Sequence, residues 1–148
     1  MIQLSLKSNL NPAEHIQLGE VLEPLRSEGT LIVCSGQITH NLSELRRGLG
    51  TKQEADPRTH QFIEWIRNTL ENTTPSTYAA TKASYTNIRS AAPHFDHAHP
   101  RSEHFVPLLV ALGATYGQSP AAGEEKGIKR LFTDVVLGTM AIDSYIFN

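Results

Sequence analysis

One cysteine in 148 residues, Cys34, rules out a disulfide within the chain and suits a reducing compartment. No apolar run approaches the ~20 residues that a transmembrane helix needs. The opening Met1-Ile2-Gln3-Leu4-Ser5-Leu6-Lys7 has neither the basic start nor the long apolar stretch of a signal peptide, so the cytoplasm is the expected setting. Asn41-Leu42-Ser43 and Asn72-Thr73-Thr74 match the glycosylation pattern, a match that is idle without secretion. Neither sign of charge dominates: 13 Lys and Arg stand against 15 Asp and Glu, a net charge of −2. That balance gives a polyanion no footing, and Arg46–Arg47 and Lys126–Lys129–Arg130 read as solvated surface. Nucleic acid and membrane are therefore not expected partners. The glycines form no dinucleotide or phosphate fingerprint, and Ser35 lacks the Gly-x-Ser-x-Gly elbow of a serine hydrolase. Cys34 closes an apolar run, where a thiol is inert.

What the chain does have is histidine. There are seven, and His94, His97, His99 and His104 fall in one short stretch. The length suits one domain around a single core. Ile2–Leu6 alternates apolar and polar residues, the period of a strand with one buried face. Asn11-Pro12-Ala13-Glu14 reads as a helix start, with Pro24 shortening the last turns and Gly29 as the stop. Thr30-Leu31-Ile32-Val33-Cys34 reads as a central parallel strand buried on both faces, which makes the unit strand–helix–strand. His40 to Arg47 fits a short helix or loop. Asp56-Pro57 opens a clear helix with Phe62, Trp65, Ile66 and Leu70 on one face, and a weaker one follows around Tyr78–Ala83. Phe95–Arg101 reads as loop, and Glu103–Leu112 as a mostly buried helix ended by Gly113. Gly117–Gly127 reads as a flexible connection, and Leu131–Leu137 with Met140–Phe147 as a hairpin around Gly138-Thr139. The class is α/β.

Two constellations can carry chemistry. Cys34-Ser35-Gly36-Gln37-Ile38-Thr39-His40 puts a histidine just after a buried strand, where open α/β sheets bind ligands. A neutral imidazole there can take and return a proton; a loop histidine tied to the backbone is the other reading. His94-Phe95-Asp96-His97-Ala98-His99-Pro100-Arg101-Ser102-Glu103-His104 offers several metal-ligand types in one segment. Its spacing is not that of a zinc-binding helix, and an exposed polar loop accounts for it equally well.

In this order the two constellations resemble the class III extradiol ring-cleavage dioxygenases, in their DOPA 4,5-dioxygenase-like branch. The resemblance is carried by Ile2–Leu6, Leu22-Glu23-Pro24-Leu25-Arg26-Ser27-Glu28-Gly29, Ser35-Gly36 through Thr39-His40-Asn41-Leu42, and above all by Ala98-His99-Pro100-Arg101-Ser102-Glu103-His104-Phe105-Val106-Pro107-Leu108-Leu109 with Ala111-Leu112-Gly113-Ala114. It spans nearly the whole chain. It implies that residues 1–148 form the C-terminal part of an extradiol dioxygenase domain, a mostly parallel central sheet flanked by helices, truncated on its N-terminal side, with a C-terminal hairpin. It also implies opening of catechol-type aromatics with O2 at a divalent metal, Fe(II) or Zn(II). By position, His104 matches the family's C-terminal metal-binding histidine and His40 the histidine that moves protons to and from the catechol. His99 falls in the same motif, in or beside the substrate pocket. Family members are longer and bring further metal-binding histidines from an N-terminal half, whereas His15 and His60 match no metal-binding motif. A halved sheet presents an unpaired edge, which a second copy or a partner chain would complete. The alternative is a non-catalytic remnant serving as an interaction module. A zinc hydrolase built on the histidine cluster is a poorer reading, since metal-binding helix and general base are both lacking.

Overall fold

The helices Pro12–Leu22, Pro57–Glu71 and Val106–Tyr116 make the frame, and the first two start where the sequence chemistry directs. A computed structural model describes residues 1–48, 54, 56–117 and 127–148. In α1 (Pro12–Leu22), Asn11 accepts a hydrogen bond from the Glu14 amide and Pro12 occupies the first turn. Pro24 does not extend this helix but opens a separate short turn, α2 (Pro24–Ser27), and Gly29 ends it at φ 81°. Asn41 caps α3 (Leu42–Gly48). Asp56 caps α4 (Pro57–Glu71), whose buried Phe62, Ile63, Ile66 and Leu70 recur at helical spacing and form its inner face. Next come α5 (Tyr78–Thr86), α6 (Ile88–Ala91), α7 (Phe95–Ala98) and α8 (Val106–Tyr116). A single helical turn, α7, thus stands where a loop is expected, entered through His94 in the left-handed conformation at φ 58°.

α8 is buried along nearly its whole length and packs against α1. The packing explains Gly113, which sits inside α8 rather than ending it. A Cβ there would lie 2.1 Å from the Ile16 carbonyl oxygen, and one at Gly19 would lie 2.1 Å from that of Val110. Each helix thus supplies a glycine where the other's backbone passes, and interhelical distance, not termination, demands the missing side chain. Arg26 ties the frame together by donating to the carbonyls of Ala114, at 3.1 Å, and Phe147, at 2.9 Å.

The C-terminal hairpin is present as two nested antiparallel pairs: β1 (Ile128–Phe132) with β4 (Ser144–Phe147), and β2 (Val135–Val136) with β3 (Met140–Ala141). Leu137 and Gly138, both at positive φ, make the tight inner turn. The expected connection between Gly117 and Gly127 lies, for residues 118–126, outside the described residues.

The expected parallel sheet is not seen: among the described residues, neither 2–6 nor 30–34 enters a strand ladder. Their apolar side chains lie open, with Ile2 96%, Leu4 58%, Leu31 85% and Val33 79% exposed. A strand pattern in sequence reports which faces are buried in a finished sheet, whereas a ladder needs neighbouring backbone to bond. What this chain forms is an α/β arrangement of helices with small antiparallel sheets at its C-terminal end.

Candidate metal centre

Two segments distant in sequence run past each other in opposite directions and bring the site together. The Gln37 amide donates to the His104 carbonyl at 3.0 Å, and the His40 amide to that of Ala98 at 2.8 Å. Asn41 donates its side-chain amide to the His97 carbonyl at 2.6 Å while its Oδ1 caps α3. Buried Thr39 fastens the same stretch to the hairpin: its hydroxyl donates to the Thr139 carbonyl and accepts from the Ala141 amide, both at 2.7 Å. Gly36 is required by this crossing, since a Cβ there would lie 2.2 Å from the His104 carbonyl oxygen.

The crossing stacks the His40 ring on that of His104, with centroids 3.7 Å apart and planes inclined by 29°. Glu103 joins them, and the donor atoms of His40, Glu103 and His104 all lie within 4.8 Å of one another. Two imidazoles and a carboxylate are the donor set of non-haem iron oxygenases, and three protein ligands are the usual number for a catalytic zinc. Bonds of about 2.1 Å would bring such donors to roughly 3–3.5 Å apart, so the half-buried side chains need only draw inward. Glu103 Oε2 is buried without a hydrogen-bond partner, and Arg101 Nε, at 3.5 Å, meets it as an ion pair only. An orphaned carboxylate oxygen beside two imidazoles fits a cation. Partial burial works against the charge of Glu103, but its own backbone amide, Arg101 and His104 together hold the carboxyl below its ordinary range. Burial, reinforced by His104, lowers the His40 pKa against the opposing pull of Glu103, so its ring is neutral near pH 7.

The other histidines separate from this centre. His99 is fully buried, and its Nε2 donates to the Ile38 carbonyl at 2.7 Å among the rings of Phe62, Phe95 and Phe105. It therefore presents no surface to a substrate in this structure. Burial is the main cause that lowers its pKa to about 4. His97 lies 3.6 Å from Asp56, and His94 meets Gln61 at 2.6 Å; both belong to the α4 side of the segment. His15 is buried in α1, where Nδ1 donates to the Asn11 carbonyl and Nε2 accepts from the Lys7 amide. Half-buried Cys34 has its thiol pKa raised by burial. Glu103 is the site residue that sequence reasoning passed over. Its position beside His104 was the available signal, but adjacency alone does not tell which way a side chain turns.

A cavity of about 690 Å³ is lined by residues that include Leu10, Ile88, Arg89, Arg101, Ser102 and Phe105, but not by the three donors. No helix among the described residues is long and apolar enough to cross a membrane.

The family model described as the catalytic LigB subunit of aromatic ring-opening dioxygenase matches residues 1–138. The chain belongs to the LigB family. Among curated relatives of this LigB chain, a 4,5-DOPA dioxygenase extradiol of Beta vulgaris is 34% identical over 99% of the chain and 48% of its own length. One of the same name from Escherichia coli K12 is 30% identical over 87% of the chain and 45% of its own length. An uncharacterized protein of Escherichia coli K12, known from a crystal structure, superposes with a TM-score of 0.73 at 26% identity, covering 95% of this chain and 52% of that one. The LigB chain thus spans about half the length of the relatives it matches.

Proposed function

We propose that this chain supplies one wall of an extradiol ring-cleavage centre that opens catechol-type aromatics with O2. The observation that carries this reading is the convergence of His40, Glu103 and His104 within 4.8 Å, on a chain of the LigB family. His104 and Glu103 would hold the metal, Fe(II) or Zn(II), as two of the three protein ligands such an ion usually takes, with His40 beside them and unligated. Bound there, a divalent cation supplies Lewis acidity and, as iron, the redox chemistry that dioxygen requires. His40 is the proton carrier: kept neutral, its ring can accept a proton from a catechol hydroxyl and return it as the ring opens. The names of the curated relatives make DOPA the first catechol to test.

The exposed apolar side chains of segments 2–6 and 30–34 suit backbone that adds strands beside them and completes a parallel sheet. That backbone, from a longer form of the polypeptide, a second copy or a partner chain, would also wall the substrate site. If the centre has lost its chemistry, the same surface is what an interaction module would use.

Anaerobic iron(II) titration of the wild-type chain and of His104→Ala tests the centre. Saturable binding that the substitution weakens by about a hundredfold or more, roughly 3 kcal/mol, is the expected result. Equal binding by both proteins would sink the assignment of His104. Oxygen uptake with DOPA by the iron-loaded chain then separates a working centre from an interaction module.

A further inference from the structure

We infer that His99 is a positioning residue, whose imidazole N–H takes the place of a missing backbone bond and so holds His40 against His104. The inference rests on the site proposed above and concerns how that site keeps its shape. Between the two crossing segments the backbone bonds are Gln37 to His104 and His40 to Ala98. On one side these anchor points are close in sequence; on the other the chain leaves the seam after His99 and returns at His104. The excursion contains Ser102, whose carbonyl accepts the Phe105 and Val106 amides at the start of α8. It also carries Glu103. No backbone amide from the excursion reaches the carbonyl of Ile38, a buried residue; His99 Nε2 does, at 2.7 Å. An unmet buried carbonyl would be costly and would free the stretch to shift, taking His40 with it.

The surroundings of His99 fit this role. A carbonyl only accepts, so Nε2 carries the proton, and Nδ1, buried without a hydrogen-bond partner among Phe62, Phe95 and Phe105, fits the neutral tautomer. These aromatic rings fix the plane of the imidazole, so its donor points one way. His99 sits at the root of the turn that presents Glu103 and His104, while its bond grips the residue two before His40.

The test compares ring-to-ring NOEs between His40 and His104 in the metal-free wild type, His99→Gln and His99→Leu. Glutamine can place an amide N–H near the position of Nε2–H, whereas leucine fills the space and donates nothing. The expected result is wild-type intensity in the glutamine variant and loss in the leucine variant, with the sequential amide-to-amide NOEs within α4 and α8 retained. A leucine variant that keeps the cross-peaks overturns the inference. So does a folded glutamine variant that loses them, or a wild type that never shows them. If leucine prevents folding, the glutamine variant decides by the same criterion. Cobalt(II) titration of the three proteins gives a second readout, with affinity about tenfold or more weaker for leucine and near wild type for glutamine. A wild type that binds no cobalt sinks the proposed metal centre, and the NOEs still judge His99. Cobalt binding that is equal in wild type and the leucine variant overturns the inference alone.

Discussion

Replacing Gly36 by alanine should damage the site without touching any of its donors. The added Cβ would stand 2.2 Å from the His104 carbonyl oxygen and 3.2 Å from Pro107 Cγ. Contact at 2.2 Å is not tolerated, so one backbone must retreat by about 1 Å, and Pro107 in the first turn of α8 limits which way it goes. Overpacking of this kind costs roughly 1–3 kcal/mol. The retreat also stretches the Gln37-to-His104 bond, worth about 1 kcal/mol. A total of about 2–4 kcal/mol corresponds to a fall in melting temperature of roughly 5–15 °C for a domain of this size. Gly127→Ala is the control, because its Cβ would meet none of the described residues within 4 Å. Thermal denaturation followed by circular dichroism, with cobalt(II) titration of each protein, reads both consequences. Gly36→Ala and Gly127→Ala melting together, with equal metal affinity, would refute the reasoning.

Gly113→Ala should force α1 and α8 apart, since its Cβ would lie 2.1 Å from the Ile16 carbonyl oxygen; we expect a loss of about 2–4 kcal/mol in urea denaturation, and a loss under 0.5 kcal/mol would contradict the close crossing. Stability should also fall with acid through His99, whose folded pKa of about 4 is depressed from 6.5, chiefly by burial and further by the charges of His40 and His104, against the pull of the Ile38 carbonyl. The unfolded chain takes up a proton near pH 6.5 that the folded chain refuses until about pH 4, so this contribution, about 3 kcal/mol, is present above that window and lost across it as pH falls. His99→Gln should flatten the slope between pH 7 and 4.5; an unchanged slope would remove His99 as its source.

The elements legible in the sequence are those whose causes are local. Asn11 with Pro12 and Asp56 with Pro57 announce α1 and α4 because caps and first-turn prolines act within a few residues. Gly138 marks the hairpin turn for the same kind of reason, though Leu137, read as strand, joins it at positive φ. What was not legible depends on partners far along the chain. Gly113 looks like a helix stop until Ile16 is seen to press on it, and the apolar run 30–34 looks like a central strand although no ladder forms beside it among the described residues. The histidine-rich stretch resists reading as one cluster for a similar reason. His94, His97, His99 and His104 face three different surroundings, decided by the turn of α7 and by the seam with 37–41 rather than by spacing.

That seam also sets when the site can exist. Its ends are as much as 67 residues apart, as between Gln37 and His104, so closing it carries the entropy of a long loop and follows the docking of the intervening helices. Local opening of the seam would separate His40 from His104 even while α1, α4 and α8 remain folded. The amides of Gln37 and His40, both bonded across it, are therefore natural hydrogen-exchange reporters of the assembled centre. Slow exchange at these two positions would mean that the histidines are already paired before any metal arrives.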